Sequence, residues 1–93
     1  MVAIARALML GPKLMIMDEP SLGLSPLLVK EVMAAIRRVA ETGMPILLVE
    51  QNVKQVLAVS HRTYVLENGR LVLDGPSQEL AGHPMIRKAY LGL

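Results

Sequence analysis

An α/β fold is predicted for this 93-residue chain, with a short parallel-sheet core, a terminal antiparallel hairpin and short C-terminal helices. Three observations point to it. Two continuous apolar runs, at residues 14–17 and 45–49, each stop abruptly at polar residues, as strands covered on both faces of a parallel sheet do. A stretch with apolar residues at helical spacing lies between them, and strand, helix, strand in that order implies a right-handed parallel crossover. Further on, Asn68-Gly69 separates two strand-like runs and marks a hairpin.

Each element follows from local signals. Residues 2–10 are apolar apart from Arg6 and are stopped by Gly11-Pro12, which predicts a buried helix folded with the rest. The first strand ends at Asp18-Glu19-Pro20. After the turn-rich residues 21–25, Pro26 takes the first helical position behind the Ser25 cap. Leu28, Val32, Ala35, Ile36 and Val39 share one face of this helix; Lys30, Glu31, Arg37, Arg38 and Glu41 share the other, and Gly43 closes it. The second strand runs into Glu50-Gln51-Asn52, and a helix over residues 53–59 follows. Residues 63–67 and 70–74 are the hairpin arms, an antiparallel edge after the parallel core. Gly75-Pro76-Ser77 opens a short helix through Ala81, and His83-Pro84 another through about Leu91. No repeat, low-complexity stretch or linker interrupts the chain, so residues 1–93 are expected to lie within one domain without an internal boundary.

Composition excludes several function classes. Ten Lys and Arg against eight Asp and Glu leave a formal net charge of +2 with the signs mixed, which argues against nucleic-acid binding through bulk charge. Without Cys there is no disulfide framework and no thiolate zinc site, and a reduced, cytosolic setting is expected. Crossing a bilayer takes about 20 apolar residues. Arg6, Lys13, Asp18 and Glu50 interrupt the apolar stretches, so no direct membrane insertion is expected. No basic region precedes the first apolar run, so it is not read as a secretory signal. His61 and His83 lack partners at metal-ligand spacing and read as loop or cap residues. Met9, Met15, Met17 and Met33 read as core fillers, and Arg37-Arg38 with Lys30 as a solvated face.

The chemistry should lie beyond the carboxyl ends of the strands, where open parallel sheets bind their ligands. Asp18-Glu19 and Glu50-Gln51-Asn52 stand there. Adjacent carboxylates at the end of a buried strand are costly unless something offsets them. A hydrated magnesium ion held by charge at Asp18 would do so, leaving Glu19 to accept a proton from an attacking water. The alternative is that the pair ends a strand and caps a turn. Gln51 is expected at the end of the second strand, facing the same crevice as Asp18 and Glu19, with capping of the following helix as its alternative. A receiver-like phosphoacceptor role for Asp18 would need an acidic pair at another strand end and a partner Lys, which the chain does not offer in clear form.

Residues 3–8 (Ala-Ile-Ala-Arg-Ala-Leu), 14–21 (Leu-Met-Ile-Met-Asp-Glu-Pro-Ser), 46–50 (Ile-Leu-Leu-Val-Glu) and 68–70 (Asn-Gly-Arg), in this order and spacing, resemble the second half of an ABC-transporter ATPase. They are similar to the helix after the signature motif, Walker B with its catalytic Glu, the D-loop, the switch strand and the final hairpin. The resemblance covers essentially the whole chain and implies a P-loop NTPase-like parallel sheet core, of which this would be the C-terminal half. Glu-Pro-Ser-Leu-Gly-Leu-Ser-Pro at 19–26, Val49-Glu50-Gln51-Asn52 and Arg-Lys-Ala-Tyr-Leu-Gly at 87–92 look most like the ATP-binding subunits of branched-chain amino acid importers.

The resemblance implies roles for single residues. Asp18 matches the Asp that holds Mg2+ through water, and Glu19 the general base. Ser21 to Leu24 match the D-loop that crosses to the partner subunit, with Ser21 and Gly23 at the nucleotide. Gln51 matches the switch residue at the γ-phosphate. Leu24 stands where most of the family has Asp, and Gln51 where most has His; both departures fit the branched-chain subgroup. A neutral amide donates a hydrogen bond to a phosphate oxygen but carries neither a proton nor a charge. At the level of the whole protein, the resemblance implies ATP and Mg2+ as cofactors and a second ATPase subunit, identical or different. It also implies transmembrane permease subunits that hold the cytoplasmic protein at the inner face of the cell membrane. No G-x-x-x-x-G-K-[ST] loop occurs, and the signature motif would precede Met1. The chain is therefore expected to be the C-terminal part of a longer subunit, inactive alone; the alternative is a truncated, non-catalytic relic or accessory module.

Overall fold

The acidic stop after the first apolar run ends a strand, as its sequence predicts. The computed structural model describes residues 2–92 and contains, in order, α1 (Val2–Met9), β1 (Met15–Asp18), α2 (Pro26–Glu41), β2 (Ile46–Val49), α3 (Val53–Val59), β3 (Arg62–Glu67), β4 (Arg70–Pro76), α4 (Ser77–Ala81) and α5 (Pro84–Ala89). These elements fall into two units, Met1–Gln51 and Asn52–Leu93. Met1 and Leu93 lie outside the described residues, as do the side chains of Val2, Ala3, Ala5 and Ala7 on which the expected burial of α1 largely rests.

In the first unit β1 and β2 pair in parallel, Met15 opposite Ile46 through Asp18 opposite Val49. Side chains alternate across a strand. Met15 and Met17 are buried, whereas Ile16 and its register partner Leu47 are 67% and 51% exposed on the opposite face. The two-sided cover expected for these strands is thus corrected to one side, because burial requires a layer on each face and this unit covers one. The end of α1 departs from expectation in the same way: Met9 and Leu10 are 86% and 87% exposed. Of the four methionines read as core fillers, Met15, Met17 and Met33 are buried and Met9 is not.

Ser25 caps α2 with its hydroxyl, which accepts from the Leu28 amide at 3.4 Å, and Pro26 holds the first helical position. Met33, Ala35, Ile36 and Val39 are the buried residues of α2, while Leu28, expected on that face, is 44% exposed. Lengths explain this. A 16-residue helix is about 24 Å long, whereas a four-residue strand offers about 13 Å of surface, so strands this short cannot cover every turn of α2. Arg37 and Arg38 are solvated as expected, and Arg37 reaches Glu41 at 3.7 Å one turn on.

In the second unit β3 and β4 form a two-stranded antiparallel sheet of their own. Asn68 and Gly69 both adopt positive φ, +51° and +74°, as the tight hairpin turn requires. A register shift between Val65 and Leu66 breaks the alternation, so Val65 points into the core and both Leu66 and Glu67 are exposed. Val65, Leu80 and Ile86 make the core, joined by Val53, Leu57, Leu73 and Leu91. Beneath the hairpin, Ser60, Thr63 and Ser77 form a hydroxyl cluster with oxygens 2.6–3.1 Å apart, and Ser60 also donates to the Val56 carbonyl. His83 caps α5, its Nδ1 accepting from the Met85 amide at 3.1 Å. Tyr90 donates to the Glu67 carboxylate, which raises the phenol pKa above its ordinary range and ties the last residues to the hairpin.

Candidate functional site

Because Asp18 pairs with Val49, the two parallel strands finish at one edge, and every residue singled out for chemistry in the first unit follows there. Directly after Asp18 the backbone turns through a left-handed conformation at Glu19, φ +47°. For a residue with a Cβ this costs on the order of 1–3 kcal/mol and persists only where the surroundings enforce it. They do so here through named bonds. The Glu19 amide donates to the Val49 carbonyl at 2.7 Å, and the Glu19 carbonyl accepts from the Leu22 amide at 3.0 Å. Beyond Pro20, the Ser21 amide donates to Glu50 Oε1 at 2.9 Å, and the Ser21 hydroxyl lies 2.8 Å from both Glu50 oxygens. Gly23 then takes φ +76°, a conformation glycine adopts without strain, and the Leu24 amide closes the loop on the Ser21 carbonyl at 3.1 Å.

The Asp18 side chain is exposed and that of Glu19 half-buried. Among the described residues, no side-chain donor engages either carboxylate, so both keep their lone pairs for a ligand. No group of three or more acidic or His side chains is arranged around a metal among the described residues. One uncommitted carboxylate is nonetheless the donor set Mg2+ accepts when phosphates and waters fill its other positions, so Asp18 fits that ion.

Gln51 is exposed and lies two residues past Val49, at the edge that carries Asp18 and Glu19. The capping alternative belongs to its neighbour: the Asn52 side chain accepts from the Gln55 amide at 3.2 Å and starts α3. Glu50, read only as part of the polar turn after the second strand, is the residue that connects the two strand ends. A carboxylate directly after an apolar strand, without a basic neighbour, must find donors elsewhere, and that is the signal that could have marked it.

A parallel pair with its polar and acidic residues gathered beyond the carboxyl ends of the strands defines an α/β domain of the class that binds ligands there. No protein-family model matches the chain. Curated relatives do. The chain is 47% identical over 92 residues to the high-affinity branched-chain amino acid transport ATP-binding protein BraG of Pseudomonas aeruginosa, a match covering 99% of this chain and 40% of that protein. It is 37% identical over 91 residues to the lipopolysaccharide export system ATP-binding protein LptB of Acidithiobacillus ferridurans, covering 98% and 38%. Among solved structures it is similar to cbiO1 from Clostridium perfringens, part of the ABC transporter complex cbiONQ. The TM-score is 0.77 and the identity 34%, over 99% of this chain and 38% of that one. The ADP conformation of MJ1267, an ATP-binding cassette of an ABC transporter, matches with a TM-score of 0.75 and 29% identity, over 97% and 37%. The chain is similar in sequence and fold to ABC transporter ATP-binding subunits, and it spans about two fifths of the length of the relatives it matches. Among the described residues, no helix is long and apolar enough to cross a membrane.

Proposed function

We propose that this chain, within a complete subunit, supplies the hydrolytic end of an ATP site in an ABC importer for branched-chain or related amino acids. The observation that carries the reading is the enforced left-handed Glu19 beside the uncommitted Asp18, since strain of this kind collects where a side chain must be aimed. In this reading Glu19 accepts the proton of the attacking water. Asp18 holds Mg2+ through water, and the ion would neutralise phosphate charge when bound. Gln51 donates its amide hydrogen bond to the γ-phosphate or the water. Ser21 and Gly23 shape the loop that meets the nucleotide of a second ATPase subunit, identical or different. Permease subunits would hold the cytoplasmic assembly at the membrane.

The import assignment rests on the 47% identity to BraG together with Leu24 and Gln51; the LptB relatives speak for export. A complete subunit reconstituted with its permease separates the two. ATPase activity raised by binding protein loaded with leucine, isoleucine or valine is the expected result. Stimulation by lipopolysaccharide instead would replace the importer with an exporter.

Gln51→Ala should lower turnover of the complete subunit by at least about tenfold, the factor for a directed transition-state hydrogen bond of about 1.4 kcal/mol. Gln51→His should keep substantial activity. A Gln51→Ala protein with parental turnover would remove Gln51 from the catalytic residues.

A further inference from the structure

Two independent ties close the strand ends into a small ring. One is the Glu19 amide on the Val49 carbonyl; the other is the Ser21 amide and hydroxyl on the Glu50 carboxylate, 29 residues away in sequence. Only Pro20 lies between the anchors Glu19 and Ser21 on one side, and the anchors Val49 and Glu50 are adjacent on the other. Pro20 fixes its own φ, so the direction in which Glu19 leaves the backbone is set from both ends. The Glu50 bonds are charge-assisted and half-buried, the strong form of hydrogen bond. Glu50 also immediately precedes Gln51.

We propose that Glu50 is a positioning residue: its carboxylate, acting through Ser21, holds Glu19 in its left-handed conformation and fixes the spacing between Glu19 and Gln51. The role rests on the hydrolytic reading above, whereas the loop clamp rests on geometry alone. The chemistry explains why a carboxylate is needed. Oε1 accepts from both the amide and the hydroxyl of Ser21 and Oε2 also lies against the hydroxyl, so the negative charge strengthens every bond of the clamp; glutamine keeps the shape but removes that charge and places an amide hydrogen where one oxygen stood.

The test uses the complete subunit with Glu50→Gln, Ser21→Ala and their combination, each also in a Glu19→Gln background. Glu50→Gln should lower kcat about tenfold with KM for ATP changed less than about twofold, the split expected when aim is lost and binding kept. Ser21→Ala should lower kcat by a similar or smaller factor, and the double variant should be no slower than Glu50→Gln. In the Glu19→Gln background the Glu50 change should cost nothing more, since it acts through Glu19. Amide hydrogen exchange supplies a readout that does not need turnover: residues 21–24 should exchange at least about tenfold faster in Glu50→Gln. Unchanged exchange, unchanged kcat, or an equal further loss in the Glu19→Gln background would each overturn the proposal. A parental subunit without ATPase activity would remove the hydrolytic reading and this role with it, while accelerated exchange would still report the clamp.

Discussion

Glu19→Gln in a complete subunit should leave ATP bound and lower turnover by about two to four decades, the usual worth of a general base. The substitution isolates the chemistry. Glutamine has the same length and pays the same penalty at φ +47°, and the backbone bond from residue 19 to the Val49 carbonyl is untouched. What disappears is the ability to accept a proton and one negative charge beside the phosphates. Affinity for ATP should therefore be kept or slightly raised. Single-turnover hydrolysis with equilibrium nucleotide binding on the same preparation checks both halves. Turnover within threefold of the parental protein would show that another group takes the proton. The neighbouring Asp18→Asn variant gives a contrast, because it should raise the Mg2+ concentration needed for half-maximal activity.

Ile86→Ala should destabilise the complete subunit by about 2–5 kcal/mol, the range for truncating a buried branched side chain to a methyl. Ile86 is fully buried and meets Val65 from β3 and Leu80 from α4, with Leu91 packed nearby. Three elements lose contacts at once, and the small second unit has few other buried side chains with which to refill the space. Against total stabilities of about 5–15 kcal/mol the loss is large. Met85, one residue earlier, is 36% exposed, and Met85→Ala should cost less than about 1 kcal/mol. Denaturant midpoints at constant slope measure the difference. Equal costs at the two positions would show that α5 does not pack through Ile86.

Much of the architecture was legible because its causes are local. Ser25-Pro26, His83-Pro84 and Asn68-Gly69 act on backbone groups within a few residues of themselves, and two helices and the hairpin start or turn where those residues stand. The apolar runs likewise announced β1 and β2, and the polar residues after them announced the edge where Asp18, Glu19 and Gln51 gather. The spacing of apolar residues was a weaker guide to burial. It marked Leu28 and Met9 for the core, yet a side chain is buried only if another element faces it, and that depends on helix and strand lengths.

The sequence by itself therefore determined the order of elements, their ends, and which strand ends carry the acidic and amide groups. Tertiary structure alone decided that one face of the parallel pair is covered, that Glu19 is held left-handed, and that Glu50 closes on Ser21. The physical reason is range. Caps and turns involve neighbours in the chain, whereas the clamp joins groups 29 residues apart and forms only after β1 and β2 have paired and brought their ends to one edge.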